Sequence, residues 1–295
     1  MNKLLVFGGN GFVGGNLAKF ALEQGWQVVV ADLAPQPRVD GAKWIGVDIT
    51  QPDQIWQAFE ETQPDAVVNV AALADIDRIE RDRELAWKIN VDGARWIANN
   101  CARSGNAHVF FSSDAIFDGV HGPYTEDDLP NPVNFYGITK ADAEQAVLSA
   151  HPEAAVIRIS LVLGLPRMVG NSFLAGLMDK LQAGKEVICP EDEIRTPVDV
   201  HTLSACVLEL LRSDYAGRLH IGCTESIDRY SLTQRLAQEM GYTQDLVRAQ
   251  ADLGEQPGRA PRHKNGILDV TKARRLLNTR LLSLDETIHR ALIQN

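Results

Sequence analysis

Five residues with strand character, Lys3-Leu4-Leu5-Val6-Phe7, run directly into glycines spaced G-x-x-G-x-x-G at Gly8, Gly11 and Gly14, after which the apolar period lengthens to that of a helix. No other stretch constrains the chain as much. A strand, a glycine turn and a helix in that order bring backbone N–H groups to a helix N-terminus with no Cβ between them and an anion. The helical run from Phe12 to Gln24 stops at Gly25, and Gln27-Val28-Val29-Val30-Ala31 then reads as a second strand ending at Asp32. An acidic residue about 20 positions after the glycines can grip a ribose diol with both carboxylate oxygens. A tight turn without a ligand has the same glycine spacing, so it is the strand, the helix and Asp32 that favour a dinucleotide. Its pyrophosphate is expected at Gly8, Asn10, Gly11, Phe12, Val13 and Gly14. Asp32 would repel an adenosine 2′-phosphate, and no Arg or Lys lies between Asp32 and Pro37, which predicts NAD(H) over NADP(H). Arg38 is the nearest cation that could weaken this preference.

Strands and helices keep alternating. Trp44–Asp48 reads as a third strand, and Thr50 as the N-cap of a helix through Glu61 with Pro52 in its first turn. Asp65–Val70 is a fourth strand and runs into Ala71 and Ala72. A long helix is predicted from Glu84 to Arg103, a fifth strand at His108–Ser113, a helix at Asn134–Leu148 and a sixth strand at Ala155–Ser160. Such regular alternation predicts an α/β fold with a doubly wound parallel sheet. After about Leu163 the rhythm loosens, with a candidate strand at Arg218–Ile221 and helices at 172–182, 199–212, 231–240, 270–277 and 284–292. A smaller interleaved α+β lobe is expected there, with residues 1–164, 197–222 and 267–280 forming the dinucleotide-binding domain and 165–196, 223–266 and 281–295 the substrate lobe. The twenty-residue connection from Asp114 to Val133 is long enough to suggest a loop that either carries function or is disordered.

At 295 residues the chain can bury a large core. Its formal net charge of -10 argues against nucleic acid as a partner, although local arginines and helix N-termini can still bind small anions. Cys101, Cys189, Cys206 and Cys223 form no C-x-x-C pair, so neither a disulfide framework nor a zinc site is expected, and a reducing cytoplasmic location is. No apolar run matches a signal peptide or a membrane span, which leads to the expectation of a soluble, unprocessed protein.

Tyr136-Gly137-Ile138-Thr139-Lys140 sets a phenol and an ammonium at neighbouring positions on one helix face. A nearby cation would favour the phenolate and lower its pKa from about 10, making a tuned proton donor. The same spacing also fits an ordinary surface pair. Ser113 ends the fifth strand, where open parallel sheets meet their ligands, and its hydroxyl could donate to a carbonyl that Tyr136 protonates. Capping of the strand end is the other reading of Ser112 and Ser113.

Together these motifs resemble the extended short-chain dehydrogenase/reductase superfamily, and within it the dTDP-4-dehydrorhamnose reductases. The resemblance rests on Gly8-x-x-Gly11-x-x-Gly14, Ser112–Gly119, Pro123–Asp128, Asn131–Lys140, Asn69–Ala72, Trp87–Gly93 and Arg158–Gly164, and it thins after Gly164. It implies a reductase moving hydride from NAD(P)H to the 4-keto group of a nucleotide-linked deoxy sugar. The alternatives are an NAD-dependent nucleotide-sugar epimerase or dehydratase and a catalytically silent dinucleotide-binding regulatory subunit. It also implies roles: Ser113 as catalytic hydroxyl, Tyr136 as proton donor, Lys140 on the nicotinamide ribose, Asp48 and Ile49 beside the adenine, Ala71 and Ala72 beside the riboses, and Leu163 near the nicotinamide. Asn90 either holds a water or backbone carbonyl behind the site or marks a helix kink. Asp114 joins Ser113 at the substrate, and Arg195, Arg259 and Arg262 are candidates for its phosphates. Leu73, Ala74 and Ala115 depart from the family pattern and remove polar or stacking groups near the sugar. A homodimer is the family-level expectation, and no metal is implied.

Overall fold

Each apolar run of the N-terminal half forms a strand because helices cover it on both faces, and Leu4, Leu5, Val6 and Phe7 have no exposed surface. The computed structural model describes residues 2–33, 39–167, 171–250 and 259–293. In it β1 (Lys3–Phe7), β2 (Gln27–Asp32), β3 (Lys43–Gly46), β4 (Ala66–Asn69), β5 (Ala107–Ser113) and β6 (Ala155–Ile159) lie in the order 3-2-1-4-5-6. All neighbouring pairs are parallel. The short strands β7 (Val162–Leu163), β8 (Val187–Cys189), β9 (Ile194–Arg195) and β10 (Val198–Asp199) follow. Then β11 (Gly217–Ile221) pairs with β6 and makes the seventh strand of the sheet. Strand order reverses between β1 and β4, so a crevice opens beyond their carboxyl ends.

On one face, α1 (Phe12–Glu23) packs Leu17 and Ala18 against Val28, Val30 and Val68. On the other, α2 (Pro52–Thr62) brings Ile55 and Phe59 onto Leu5, Phe7 and Val67. Next in the chain come α3 (Ile76–Arg81), α4 (Arg83–Trp87), α5 (Ala94–Ser104) and α6 (Phe135–Ala150). Ile97 of α5 joins the α2 side, and Ala143 and Val147 of α6 cover Phe110 and Val156. A second core is built by α7 (Phe173–Gln182), α9 (Arg229–Glu239) and α11 (Leu284–Leu292), while α8 (Val200–Leu210) lies with α1 and α10 (Thr271–Leu276) lies against β11. Each fully buried Leu or Ile in these layers contributes about 1.5–3 kcal/mol over its exposed state.

Three local expectations need correction. The helix expected from Glu84 to Arg103 begins earlier, breaks at Asp82, whose side chain caps α4, and passes through a π turn at Lys88–Gly93. Gln51, not Thr50, is the N-cap of α2, because the Thr50 hydroxyl and N–H both donate to Asp48 Oδ1. The Asp114–Val133 connection is folded onto the protein: Phe117 is fully buried and stacks on Tyr124 at 4.2 Å, and Tyr124 N–H donates to the Ile267 carbonyl.

Charge is buried inside this frame as well. Arg158 of β6 forms a two-pronged pair with Glu144 of α6 at 2.9 and 2.8 Å, and Arg218 of β11 adds a third contact at 2.9 Å. Burial alone would raise the Glu144 carboxyl, but the two guanidiniums hold it below its ordinary value.

Candidate active site

The glycine turn is shaped by close approach. Gly8 has φ +81°, and a Cβ there would stand 2.7 Å from the Ala71 backbone at the end of β4. At Gly14 a Cβ would meet the Gly8 carbonyl oxygen at 2.3 Å, so this residue lets α1 pack onto the turn. Gly11 is different: a Cβ there would meet only the Gly8 oxygen, at 3.4 Å, so the fold itself leaves room for one. Gly11 caps α1 without a side-chain hydrogen bond, and the N–H groups of the first turn, Phe12 and Val13 included, have no acceptor within the helix. That is the geometry an anion requires.

A cavity of about 600 Å³ runs from this turn across the crevice. Gly8, Asn10, Gly11, Asp32, Asp48, Ile49, Ala71 and Ala72 line it, as do Leu73, Arg78, Leu85 and Ile89. The residues present therefore fit an elongated dinucleotide, with acid at the ribose position, apolar walls beyond it and an open helix N-terminus. Asp32 Oδ2 accepts from Asn10 N–H at 3.0 Å, so the acid braces the turn as well as facing the cavity. Arg38 lies outside the described residues.

Ser113 and Tyr136 meet at the carboxyl edge of the sheet, where the end of β5 faces the first turn of α6. Asn134 caps that turn by accepting from Gly137 N–H at 2.8 Å, and the Tyr136 phenol neighbours the Ser113 hydroxyl closely enough for that hydroxyl to bear on its acidity. Burial pushes the phenol up to about 12; the Ser113 hydroxyl works against this and the Asp114 charge adds to it. The expectation of a lowered phenol pKa is thus corrected. Lys140 is buried, donates to the Phe111 carbonyl and stands 4.5 Å over the Phe110 ring, and burial brings its pKa down to about 8 against the pull of Glu144.

Asp114 anchors the serine. Its Oδ1 accepts from Ser113 at 3.1 Å, while Oδ2 accepts from Ser160 at 2.6 Å and lies 3.1 Å from His263 Nε2 and 3.6 Å from Arg195 Nε. Burial would raise this carboxyl, yet the His263 ring and the Arg195 guanidinium hold it at about 2. Arg195 also donates to the carbonyls of Ile194, His263 and Lys264 and to Glu193. It is a buried part of the scaffold rather than the phosphate ligand expected. Arg262 is likewise corrected, since its fork is closed on Asp77 at 3.2 and 3.0 Å.

Asn90 holds a backbone carbonyl and stands in an irregular turn, as its two expected readings have it, though away from the cofactor cavity, and the expected Leu163 contact changes. The Asn90 carboxamide accepts from Leu73 N–H at 2.8 Å and donates to the Leu73 carbonyl and to Thr139 Oγ1, both at 3.0 Å. It holds the loop after β4 from within the π turn and does not line the cavity. Leu163 has no exposed surface, which leaves nothing for a cofactor to touch.

Arg259 lies elsewhere, beside a second cavity of about 510 Å³ that also has Asn171, Ser172, Phe173, Glu193 and Arg229 in its wall. Arg229 stands 4.3 Å over the Phe173 ring, and burial lowers its pKa. Sequence reasoning missed Arg229 and Arg78; an Arg at the start of a helix after an Asp cap was the available signal for the first. Glu193 links this cavity through Arg195 and Asp114 to Ser113, at 3.3, 3.6 and 3.1 Å.

A family model described as "RmlD substrate binding domain" matches residues 1–295. Among curated proteins, the chain is similar to the "Probable low-salt glycan biosynthesis reductase Agl14" of Haloferax volcanii, 29% identical over 271 residues that cover 90% of this chain and 89% of that protein. It is also similar to "Methionine adenosyltransferase 2 subunit beta" of Rattus norvegicus, 28% identical with 92% and 81% covered. In fold it matches a Bacillus anthracis dTDP-4-dehydrorhamnose reductase solved in complex with NADP, at a TM-score of 0.88 and 24% identity with 100% of both chains covered.

Proposed function

The chain belongs to the RmlD substrate-binding-domain family, and from that premise we propose that it is a reductase that uses a nicotinamide dinucleotide to reduce the 4-keto group of a nucleotide-linked deoxy sugar. One observation carries the reading: the Tyr136 phenol in the first turn of α6 neighbours the Ser113 hydroxyl at the carboxyl end of β5, on the sheet edge where the glycine-turn cavity also lies. When bound, the reduced nicotinamide supplies a hydride to the carbonyl carbon. The Ser113 hydroxyl turns its single hydrogen from Asp114 Oδ1 to the carbonyl oxygen. Tyr136 then gives up its proton to that oxygen. A phenol held near 12 stays protonated through the physiological range and is still a much stronger acid than the alcohol it forms, so the transfer runs downhill. Lys140 orients the cofactor ribose and offsets the phenolate charge left behind.

The sugar's nucleotide, with a dTDP carrier favoured, would occupy the second cavity, where Arg229 and Arg259 replace Arg195 and Arg262 as the phosphate-facing cations. The smaller lobe formed by residues 165–196, 223–266 and 281–295 supplies those groups. The charge of Asp32 supports NADH over NADPH within a fold that carries NADP in the Bacillus anthracis relative. Four buried free cysteines suit a reducing cytoplasm, and among the described residues no helix is long and apolar enough to cross a membrane.

The second reading, a dinucleotide-binding partner without turnover, is not favoured by the family match, although a relative named as a methionine adenosyltransferase subunit makes it worth testing. A panel of 4-keto-sugar nucleotides with NADH and with NADPH separates the two. Consumption of reduced cofactor is the expected result; no turnover across the panel, with dinucleotide bound, would favour the subunit reading.

A further inference from the structure

At the end of the sheet away from the cleft, Cys101 of α5, His108 of β5 and His151 at the C-terminus of α6 converge, and a donor atom from each lies within 4.8 Å of the other two. All three residues are buried. Both ring nitrogens of His108 and Nδ1 of His151 are buried without a hydrogen-bond partner, and the rings lie parallel with centroids 5.8 Å apart. Buried polar atoms are almost always paired, so three orphaned ring nitrogens beside a buried thiol call for an explanation.

We propose that Cys101, His108 and His151 form a structural site for a zinc-like divalent cation. One thiolate and two imidazoles suit zinc or cobalt and suit calcium or magnesium poorly. Zinc bond lengths put tetrahedral S/N donor pairs roughly 3.3–3.6 Å apart, so the widest pair closes by up to roughly 1.2–1.5 Å on binding, within reach of side-chain rotation. Binding releases the thiol proton to solvent and gives a lone-pair partner to one nitrogen of each ring. Asn106 Oδ1, in the turn between Cys101 and His108, is buried and unpartnered too, and it or a water completes the coordination. The cysteine spacing, which excluded zinc, gave no sign of this, because the other two donors come from a strand and a helix end.

The position gives the site a purpose. β5 ends in Ser113, about 16 Å from His108 at strand rise, and α6 begins beside Tyr136, about 22 Å from His151 at helix rise. A cation here would clamp together the two elements whose opposite ends present the hydroxyl pair, while touching none of the residues assigned to turnover. The proposal therefore stands or falls separately from the reductase reading.

The test is metal binding by the full chain. Protein stripped with a chelator and titrated with Co²⁺ should take up about one cation per chain, with a thiolate-to-cobalt charge-transfer band and strong tetrahedral d–d bands. Cys101→Ala should lose the charge-transfer band. His151→Asn should keep the band but bind roughly tenfold or more weakly. Zn²⁺ should raise the Tm of the wild type by clearly more than that of His151→Asn at the same free concentration. If stripped wild type binds no Co²⁺, or if the band survives in Cys101→Ala, the site is refuted. Should Cys101→Ala fail to fold, wild-type affinity in His151→Asn refutes it equally.

Discussion

The Lys140 ammonium donates to the backbone carbonyl of Phe111 and stands over the Phe110 ring, which fastens α6 to the strand that ends in Ser113. A buried cation held mainly by a carbonyl and a ring face is costly to the fold, and its pKa falls from 10.5 to about 8. Between those values the unfolded chain binds a proton that the native chain does not, so this residue makes stability rise with pH across that window and withholds stability below it. Urea unfolding at about pH 7.5 and 10 should show a larger rise for wild type than for Lys140→Met, and the variant should be no less stable at the lower pH. Equal pH slopes would contradict the assignment.

Gly11 and Gly14 should respond in opposite ways to a methyl group. Gly11→Ala has space within the fold and should keep its stability within about 0.5 kcal/mol while losing at least roughly tenfold in dinucleotide affinity, because the Cβ enters the anion path. Gly14→Ala drives a Cβ to 2.3 Å from the Gly8 oxygen and should lose both. Calorimetric binding and thermal melts of the two variants distinguish these outcomes.

Asp32→Asn removes the charge and keeps an acceptor for Asn10. The ratio of kcat/KM for NADPH to that for NADH should rise about tenfold or more, near 1.4 kcal/mol. An unchanged ratio would remove Asp32 from cofactor selection.

Glu144→Gln would leave Arg158 buried with no counter-charge, and should cost about 3–5 kcal/mol in unfolding free energy. A loss below about 1 kcal/mol in urea titrations would mean that the Arg158 environment is wetter than its burial implies.

The fold was largely legible because the first six strands are apolar runs separated by helix-period stretches and glycine or proline stops. β11 was harder to read: Arg218 and His220 make it look like a surface strand, and only Glu144 on Arg218 and Arg158 on His220 Nε2, both far away in sequence, make those side chains acceptable there. The misplaced phosphate ligands share this cause. Arg195 and Arg262 look like solvated cations until folding brings Asp114, Glu193 and Asp77 to them, and spacing within one chain carries no trace of such pairings. Tyr136 and Ser113 were legible because both stand in local motifs, whereas the direction of the phenol pKa was not, since it is set by burial rather than by the neighbouring lysine.

The central claim is that Tyr136 delivers the proton, and the most direct measurement is single-turnover reduction of a 4-keto-sugar nucleotide by Tyr136→Phe, with cofactor affinity measured in parallel. The rate should fall about 10²–10⁴-fold, while dinucleotide Kd stays within about threefold of wild type. A turnover rate indistinguishable from wild type would contradict it.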